Sequence, residues 1–250
     1  MRSHVARSYN LREVVTGDLS PPGLVYRSSC LVGLSGATHR LLVDGLGIRS
    51  VIDLRTANER RRAPCELQAG GLSCLQLPLT PGSWDSPSDW MADADDLGWM
   101  YLSMLDTNGA PLVEALHRLA EDLPLPTLIC CSAGKDRTGV LAACVQALIG
   151  VSEEEIVADY SRSDMAMLDV LPRIAATHDA PARLSRLPPV LLNSPPNAMW
   201  TLLRLLRDER GGLVPALAAA GLRPGMVDRL RMRLAASTRP GHDSPHRGTR

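Results

Sequence analysis

Cys131 and Arg137 bracket five residues within Cys131-Ser132-Ala133-Gly134-Lys135-Asp136-Arg137-Thr138-Gly139. A thiolate is a strong nucleophile, and a guanidinium grips two oxygens of a tetrahedral anion side by side. The pair is therefore equipped to attack phosphorus and hold its oxygens. The spacing alone carries little, because six cysteines and an arginine at about every tenth position make a chance match common. Its surroundings carry more. The apolar run Leu128-Ile129-Cys130 leads into the loop and a long apolar stretch leaves it at Val140, which places the loop at a strand-to-helix turn.

A tight turn at that position aims backbone N–H groups at one point, and the positive end of the following helix adds to them. Ser132, Ala133, Gly134, Lys135, Thr138 and Gly139 are thus the candidate anion-binding residues, with glycine at 134 and 139 allowing close approach. A free thiol is only a few per cent thiolate at neutral pH, and such a loop supplies the field that favours the charged form. Attack by Cys131, held against Arg137, would give a cysteinyl-phosphate that water then hydrolyses. No metal or cofactor is expected. The plainer alternative is a buried inert thiol followed by an arginine that caps a helix.

The elements that must position the loop read as α/β. Strands are expected over 24–26, 50–54, 72–77 and 127–130, and helices over 37–46, 111–123 and 139–149. Ser152-Glu153-Glu154-Glu155 is a capping box opening a helix through Tyr160. Leucines at helical spacing over 197–207, 212–221 and 227–235 make the carboxyl third all-helical. The expected architecture is a central, mostly parallel sheet flanked by helices in one domain over 1–236. A Pro/Ser/Asp-rich, lid-like segment lies at about 81–100, where Trp84, Trp90 and Trp99 could cover a site, and 237–250 reads as a disordered tail.

Composition narrows the function. The formal net charge is zero, so no global basic field recruits nucleic acid. No apolar run is long enough for a membrane span, and the polar amino terminus does not read as a secretory signal, so a cytoplasmic location is expected. Cys30, Cys65, Cys74 and Cys144 sit among apolar neighbours as small core residues do. Lysine occurs once, at Lys135, inside the loop, although arginine is abundant. The sequence leaves oligomeric state open.

The loop residues, from Cys131 and Ala133 through Gly139, resemble those of bacterial protein-tyrosine phosphatases of the triple-specificity group. The resemblance extends to Asn10-Leu11-Arg12-Glu13-Val14, to Gly23 through Ser29, to Leu46 through Arg55 with Glu59 and Arg60, and to Ile156 through Ser163. It implies a dual-specificity-phosphatase-like fold and phosphomonoester hydrolysis, with Cys131 and Arg137 in the roles argued above. It also implies that Lys135 favours highly anionic substrates, an exposed solvated charge being the alternative. Asp53, Arg55 and Glu59 are expected to form one ion-pair network supporting the loop.

Two positions depart from that pattern. Cys130 stands where the family normally has a histidine that orients the loop, and its side chain is expected on the opposite strand face from Cys131. For the acid that protonates the leaving oxygen, related phosphatases point to Asp136, with Asp85 and Asp89 as alternatives on a separate segment. The substrate reading is a phosphorylated protein, first of all phosphotyrosine, with phosphoserine, phosphothreonine or phosphoinositides possible. The alternatives are the same chemistry on a small-molecule phosphate, or a module that binds phosphorylated partners without turnover. The cluster Arg60-Arg61-Arg62 is a place where substrate preference could be set.

Overall fold

The computed structural model describes residues 2–14, 23–69, 71–80, 91–176 and 187–236. Five strands, β1 (Arg12–Glu13), β2 (Val25–Ser28), β3 (Ser50–Asp53), β4 (Ser73–Gln76) and β5 (Thr127–Cys130), form one sheet in the order β1-β2-β5-β3-β4. All neighbours are parallel except β1, which runs antiparallel along β2. β2, β3 and β5 are buried throughout, as central strands of a parallel sheet covered on both faces are, and their polar residues, Arg27 and Asp53 among them, are buried with them. Ser28 and Asp53 both pair with Cys130, so the three central strands finish together where the loop begins. That carboxyl edge is where α/β sheets collect ligands.

The helices in chain order are α1 (Arg2–Ser8), α2 (Gly36–Arg40), α3 (Ala57–Arg62), α4 (Glu66–Ala69), α5 (Ala94–Thr107), α6 (Gly109–Glu121) and α7 (Asp136–Ile149). They continue with α8 (Glu153–Ser161), α9 (Ser163–Ala175), α10 (Pro189–Leu192), α11 (Pro196–Arg210), α12 (Leu213–Ala219) and α13 (Met226–Ala236), and a π-helical turn, Leu41–Gly45, prolongs α2. Alternation along the strands divides the core in two. Ile52, Ile129 and Cys131 face the larger cluster, built with α5, α6, α7 and the carboxyl helices. Val51, Leu128 and Cys130 face a smaller one with Val5, Leu42 and Leu67. Full burial of each such aliphatic side chain stabilises the fold by roughly 1.5–3 kcal/mol.

The α/β reading and the all-helical carboxyl third hold, while several elements differ from expectation. The strand expected at 24–26 begins one residue later and runs to Ser28. Helices appear where none was expected at α1, α3, α4, α9 and α10. Much of the described part of the supposed lid is helix, since α5 starts at Ala94. The acidic residues that read as loop composition are its cap: Asp93 accepts from the N–H groups of Asp95 and Asp96, and the Asp96 carboxylate accepts from the N–H of Asp93. Trp99 lies on α5, whereas Trp84, Trp90, Asp85, Asp89 and the tail at 237–250 lie outside the described residues. α5 crosses α11 closely because residue 98 is glycine; a Cβ there would stand 2.6 Å from the Thr201 Cβ.

Candidate active site

The loop from Cys131 to Lys135 leaves β5 and enters α7 at Asp136. Its carbonyls are tied down from outside. Cys30 N–H donates to Ser132 O at 3.0 Å. Asn10 Nδ2 donates to Ala133 O at 3.3 Å and to Gly134 O at 3.0 Å. Arg27 Nη2 donates to Gly134 O at 2.9 Å and to Lys135 O at 3.3 Å. In a planar trans peptide, a carbonyl turned one way sends the next N–H the other way. The N–H groups of Ala133, Gly134, Lys135 and Asp136 are therefore turned inward, and Gly134 N–H reaches Cys131 Sγ at 3.3 Å. Gly134 has φ +69°, and a Cβ there would stand 2.4 Å from the Ser28 carbonyl, so only glycine lets the loop lie against β2.

Behind this outer tie lies a buried charge cluster. Asp159 on α8 accepts from Arg12 Nε and from Arg27 Nη1, both at 2.6 Å, and Arg12 also donates to Ser163 Oγ. Burial and then the neighbouring Arg27 charge push the Arg12 guanidinium down to about 10, with Asp159 opposing them. Burial would raise the Asp159 carboxyl, but the two guanidiniums outweigh it and hold it below its ordinary value. One carboxylate thus pairs with two arginines, Arg27 bonded directly to the loop and Arg12 bonded to Asn10, which ties the loop.

Arg137 is held at the opposite rim. Its Nη1 donates to Glu59 Oε2 at 2.8 Å and its Nη2 to Glu59 Oε1 at 2.7 Å, with Ser132 Oγ 3.2 Å from Nη2. Glu59 also accepts from Ser132 Oγ at 2.6 Å and from Thr56 N–H at 2.8 Å, closing a capping box at the start of α3. Burial alone would raise the Glu59 carboxyl, but the Arg137 fork and these donors hold it well below the usual carboxylate range. Asp53 and Arg55 belong to a separate pair: Arg55 Nη2 meets Asp53 Oδ2 at 2.8 Å and Arg55 Nη1 donates to Ala63 O. The single network expected from sequence is two, of which only the Glu59 one touches the loop.

Lys135 is not a solvated charge. It is 1% exposed, its Nζ donating to Asn193 O at 2.6 Å and pairing with Asp136 Oδ1 at 2.9 Å. Asp136 Oδ1 also accepts from Tyr101 Oη at 2.6 Å. Thr138 is fully buried, with Oγ1 unpartnered among the described residues, and Gly139 lies under the Tyr160 ring. Ala133 packs outward against Ala166, Met167 and Val170 of α9. Sequence reasoning missed Tyr101 and Asn193, because neither lies near the loop in the chain, and it gave Tyr160 only a place on its helix. Arg12, Arg27 and Asp159 were visible only inside the resembling segments.

All six cysteines are free. Cys130 is buried on the far face, and burial first, then the nearby Asp53, pushes its thiol well above the ordinary value. Burial likewise pushes Cys144 up to about 12 and Cys74 up to about 11. Iodoacetate at neutral pH is therefore expected to alkylate Cys131 first in the native protein, with inorganic phosphate protecting it. Peptide mass mapping checks this; equal labelling of Cys130 would remove the distinction. The arrangement as a whole can hold a tetrahedral dianion over a thiol, between inward N–H groups and a fixed guanidinium.

Residues 5–236 match the tyrosine phosphatase family. The chain is 31% identical over 199 residues to the triple specificity protein phosphatase PtpB of Mycobacterium tuberculosis, covering 67% of this chain and 71% of that protein. It is 31% identical over 145 residues to a tyrosine-protein phosphatase of Nostoc commune, covering 57% of this chain and 49% of that one. Among solved structures, it resembles the core catalytic domain of the PP-IP phosphatase SIW14 from S. cerevisiae at 20% identity and TM-score 0.37, over 69% of this chain and 94% of that one. It also resembles P. aeruginosa TpbA at 17% identity and TM-score 0.32, over 66% and 86% respectively. No helix among the described residues is long and apolar enough to cross a membrane. With nearly its whole length matched, the chain belongs to the tyrosine phosphatase family.

Proposed function

We propose that this phosphatase hydrolyses phosphotyrosyl groups of proteins through a cysteinyl-phosphate on Cys131, within one phosphatase domain over 1–236. The observation that carries the reading is the loop itself, whose carbonyls are bonded outward so that its N–H groups converge on the Cys131 side. A phosphoryl group seated there is held by the N–H groups of the loop from Ala133 to Asp136 and by Arg137, with Ser132 beside it. Cys131 Sγ forms a bond to phosphorus as the bond to the tyrosyl oxygen breaks, and that oxygen takes a proton from the Asp136 carboxyl. Water then attacks phosphorus, giving its proton to the Asp136 carboxylate, and the S–P bond breaks to return the thiolate and release inorganic phosphate. Thr138 and Gly139 close the cradle at the first turn of α7, and Lys135 adds positive charge beneath it. The substrate is the partner implied; nucleic acid has no part in this reading, and the location assigned is cytoplasmic.

A second reading, a small polyanionic phosphomonoester such as a phosphoinositide, is favoured by Arg60, Arg61 and Arg62, which follow Glu59 on α3. Two measurements decide. A denaturing quench during turnover of a phosphotyrosyl peptide is expected to leave one phosphoryl group on the Cys131 peptide. A panel of phosphopeptides, phosphoinositides and nucleotides is expected to give the highest kcat/KM on phosphotyrosine. An advantage of more than about tenfold for another class, roughly 1.4 kcal/mol in transition-state binding, would transfer the assignment to it.

A further inference from the structure

Two phenol hydroxyls lie in the apolar core beside the loop. Tyr101 on α5 and Tyr160 on α8 are both essentially unexposed, their rings edge to face at 5.9 Å and 77°. Their oxygens are 2.7 Å apart, and Tyr101 Oη is 2.6 Å from Asp136 Oδ1. Each hydroxyl has one proton, and an ionised carboxylate only accepts. The Tyr101 proton therefore goes to Asp136, and Tyr160 donates to Tyr101, giving a chain with one direction. Burial, and then the Asp136 charge, raise both phenols well above their ordinary value, so both remain protonated donors at working pH.

We propose that Tyr101, backed by Tyr160, is a positioning residue for Asp136, occupying Oδ1 so that Oδ2 is the oxygen that carries the proton to the leaving group. This rests on the reading of Asp136 as the acid. Lys135 Nζ occupies the same Oδ1 at 2.9 Å and can only donate. With two donors converging on Oδ1, a protonated Asp136 places its proton on Oδ2, which has no partner among the described residues. The direction of the chain is built into the packing. The Tyr160 ring lies over the first turn of α7, where a Cβ added at Gly139 would stand 3.2 Å from Cδ2, and this fixes the hydroxyl behind Tyr101. Asp136 is the first residue of α7 and is partly exposed, so without Tyr101 only the Lys135 ammonium restrains its rotation.

Leaving-group dependence tests this, because proton donation matters for a basic leaving oxygen and little for an acidic one. Tyr101→Phe keeps the ring and removes the donor. It is expected to lower kcat/KM about tenfold on phenyl phosphate and less than about threefold on 4-nitrophenyl phosphate, a fraction of the hundredfold or more that acid catalysis supplies. The inhibition constant of inorganic phosphate is expected to stay within about twofold, since the loop carbonyl ties do not pass through Tyr101. Equal loss on both substrates with weakened phosphate binding would mark a merely structural role and overturn the proposal.

Asp136→Asn separates the two levels of the argument. If it steepens the leaving-group dependence and Tyr101→Phe does not, the positioning role falls while the acid stands. If Asp136→Asn leaves the dependence unchanged, the acid reading falls and the positioning role with it. Should Tyr101→Phe fail to fold by circular dichroism, Tyr160→Phe replaces it. This variant retains the Tyr101 donor and is expected to produce the same steepening at about threefold; no steepening there overturns the proposal.

Discussion

Serine at position 131 is expected to abolish turnover, lowering kcat on 4-nitrophenyl phosphate by at least about 10⁴-fold, the scale seen when a covalent nucleophile is removed. A serine hydroxyl stays protonated at pH values where a thiol ionises, so the nucleophilic anion is lost. The nearest other thiol cannot substitute. Cys130 is buried on the opposite sheet face among Val51, Leu128 and Cys65. The cradle should survive the change, because a serine oxygen can accept the Gly134 N–H that Cys131 Sγ now receives. Calorimetry with a phosphotyrosyl peptide is therefore expected to show retained binding alongside absent hydrolysis. Residual activity within about a hundredfold of wild type would sink the assignment of Cys131 as nucleophile.

The largest effect on stability is expected at Asp159. Asp159→Asn leaves the guanidiniums of Arg12 and Arg27 facing each other in the interior with no countercharge, Arg27 being 1% exposed. Breaking a buried ion pair in this way costs on the order of 3–5 kcal/mol. Arg27 also supplies the bonds to Gly134 O and Lys135 O, so phosphate affinity should fall together with stability. The pH dependence has a definite sign. The folded Asp159 carboxyl is held below its ordinary value, so its contribution is fully present above the unfolded aspartate value of about 3.9 and is lost as pH falls through the folded one. The difference between wild type and variant in denaturant unfolding should therefore narrow below about pH 4. A difference under about 1 kcal/mol at neutral pH would show that the cluster does not hold the fold.

The loop was legible because its chemistry is local. A nucleophile, glycines, an arginine and a strand-to-helix boundary fall within a dozen residues, and the alternation of side chains along β5 already separates Cys130 from Cys131. The capping box at Ser152 was legible for the same reason. Asp93 and Asp96 do the same for α5, yet among proline, serine and further aspartates their pattern read as loop. Tertiary partners were another matter. Nothing in the spacing of Tyr101, Asp136 and Tyr160 announces a chain of hydroxyls, since three separate elements bring them together. Lys135 was conspicuous as the only lysine, but its burial depends on the Asn193 carbonyl arriving from α10's end.

The way Glu59 holds Arg137 determines what is left for an incoming anion. A guanidinium has five N–H bonds, and four are committed: two to Glu59, one to Leu54 O at 3.4 Å and one to Ser132 Oγ at 3.2 Å. Glu59 takes the end of the fork, which leaves the side edge, Nε–H together with the Nη2–H now resting on Ser132. Phosphate arrival is then an exchange rather than the filling of bare charge. Ser132 gives up its weaker contact to Nη2 and keeps its 2.6 Å bond to Glu59. Glu59 and Ser132 already fix the plane of Arg137 in the folded chain, so the clamp meets its substrate with its orientation set in advance.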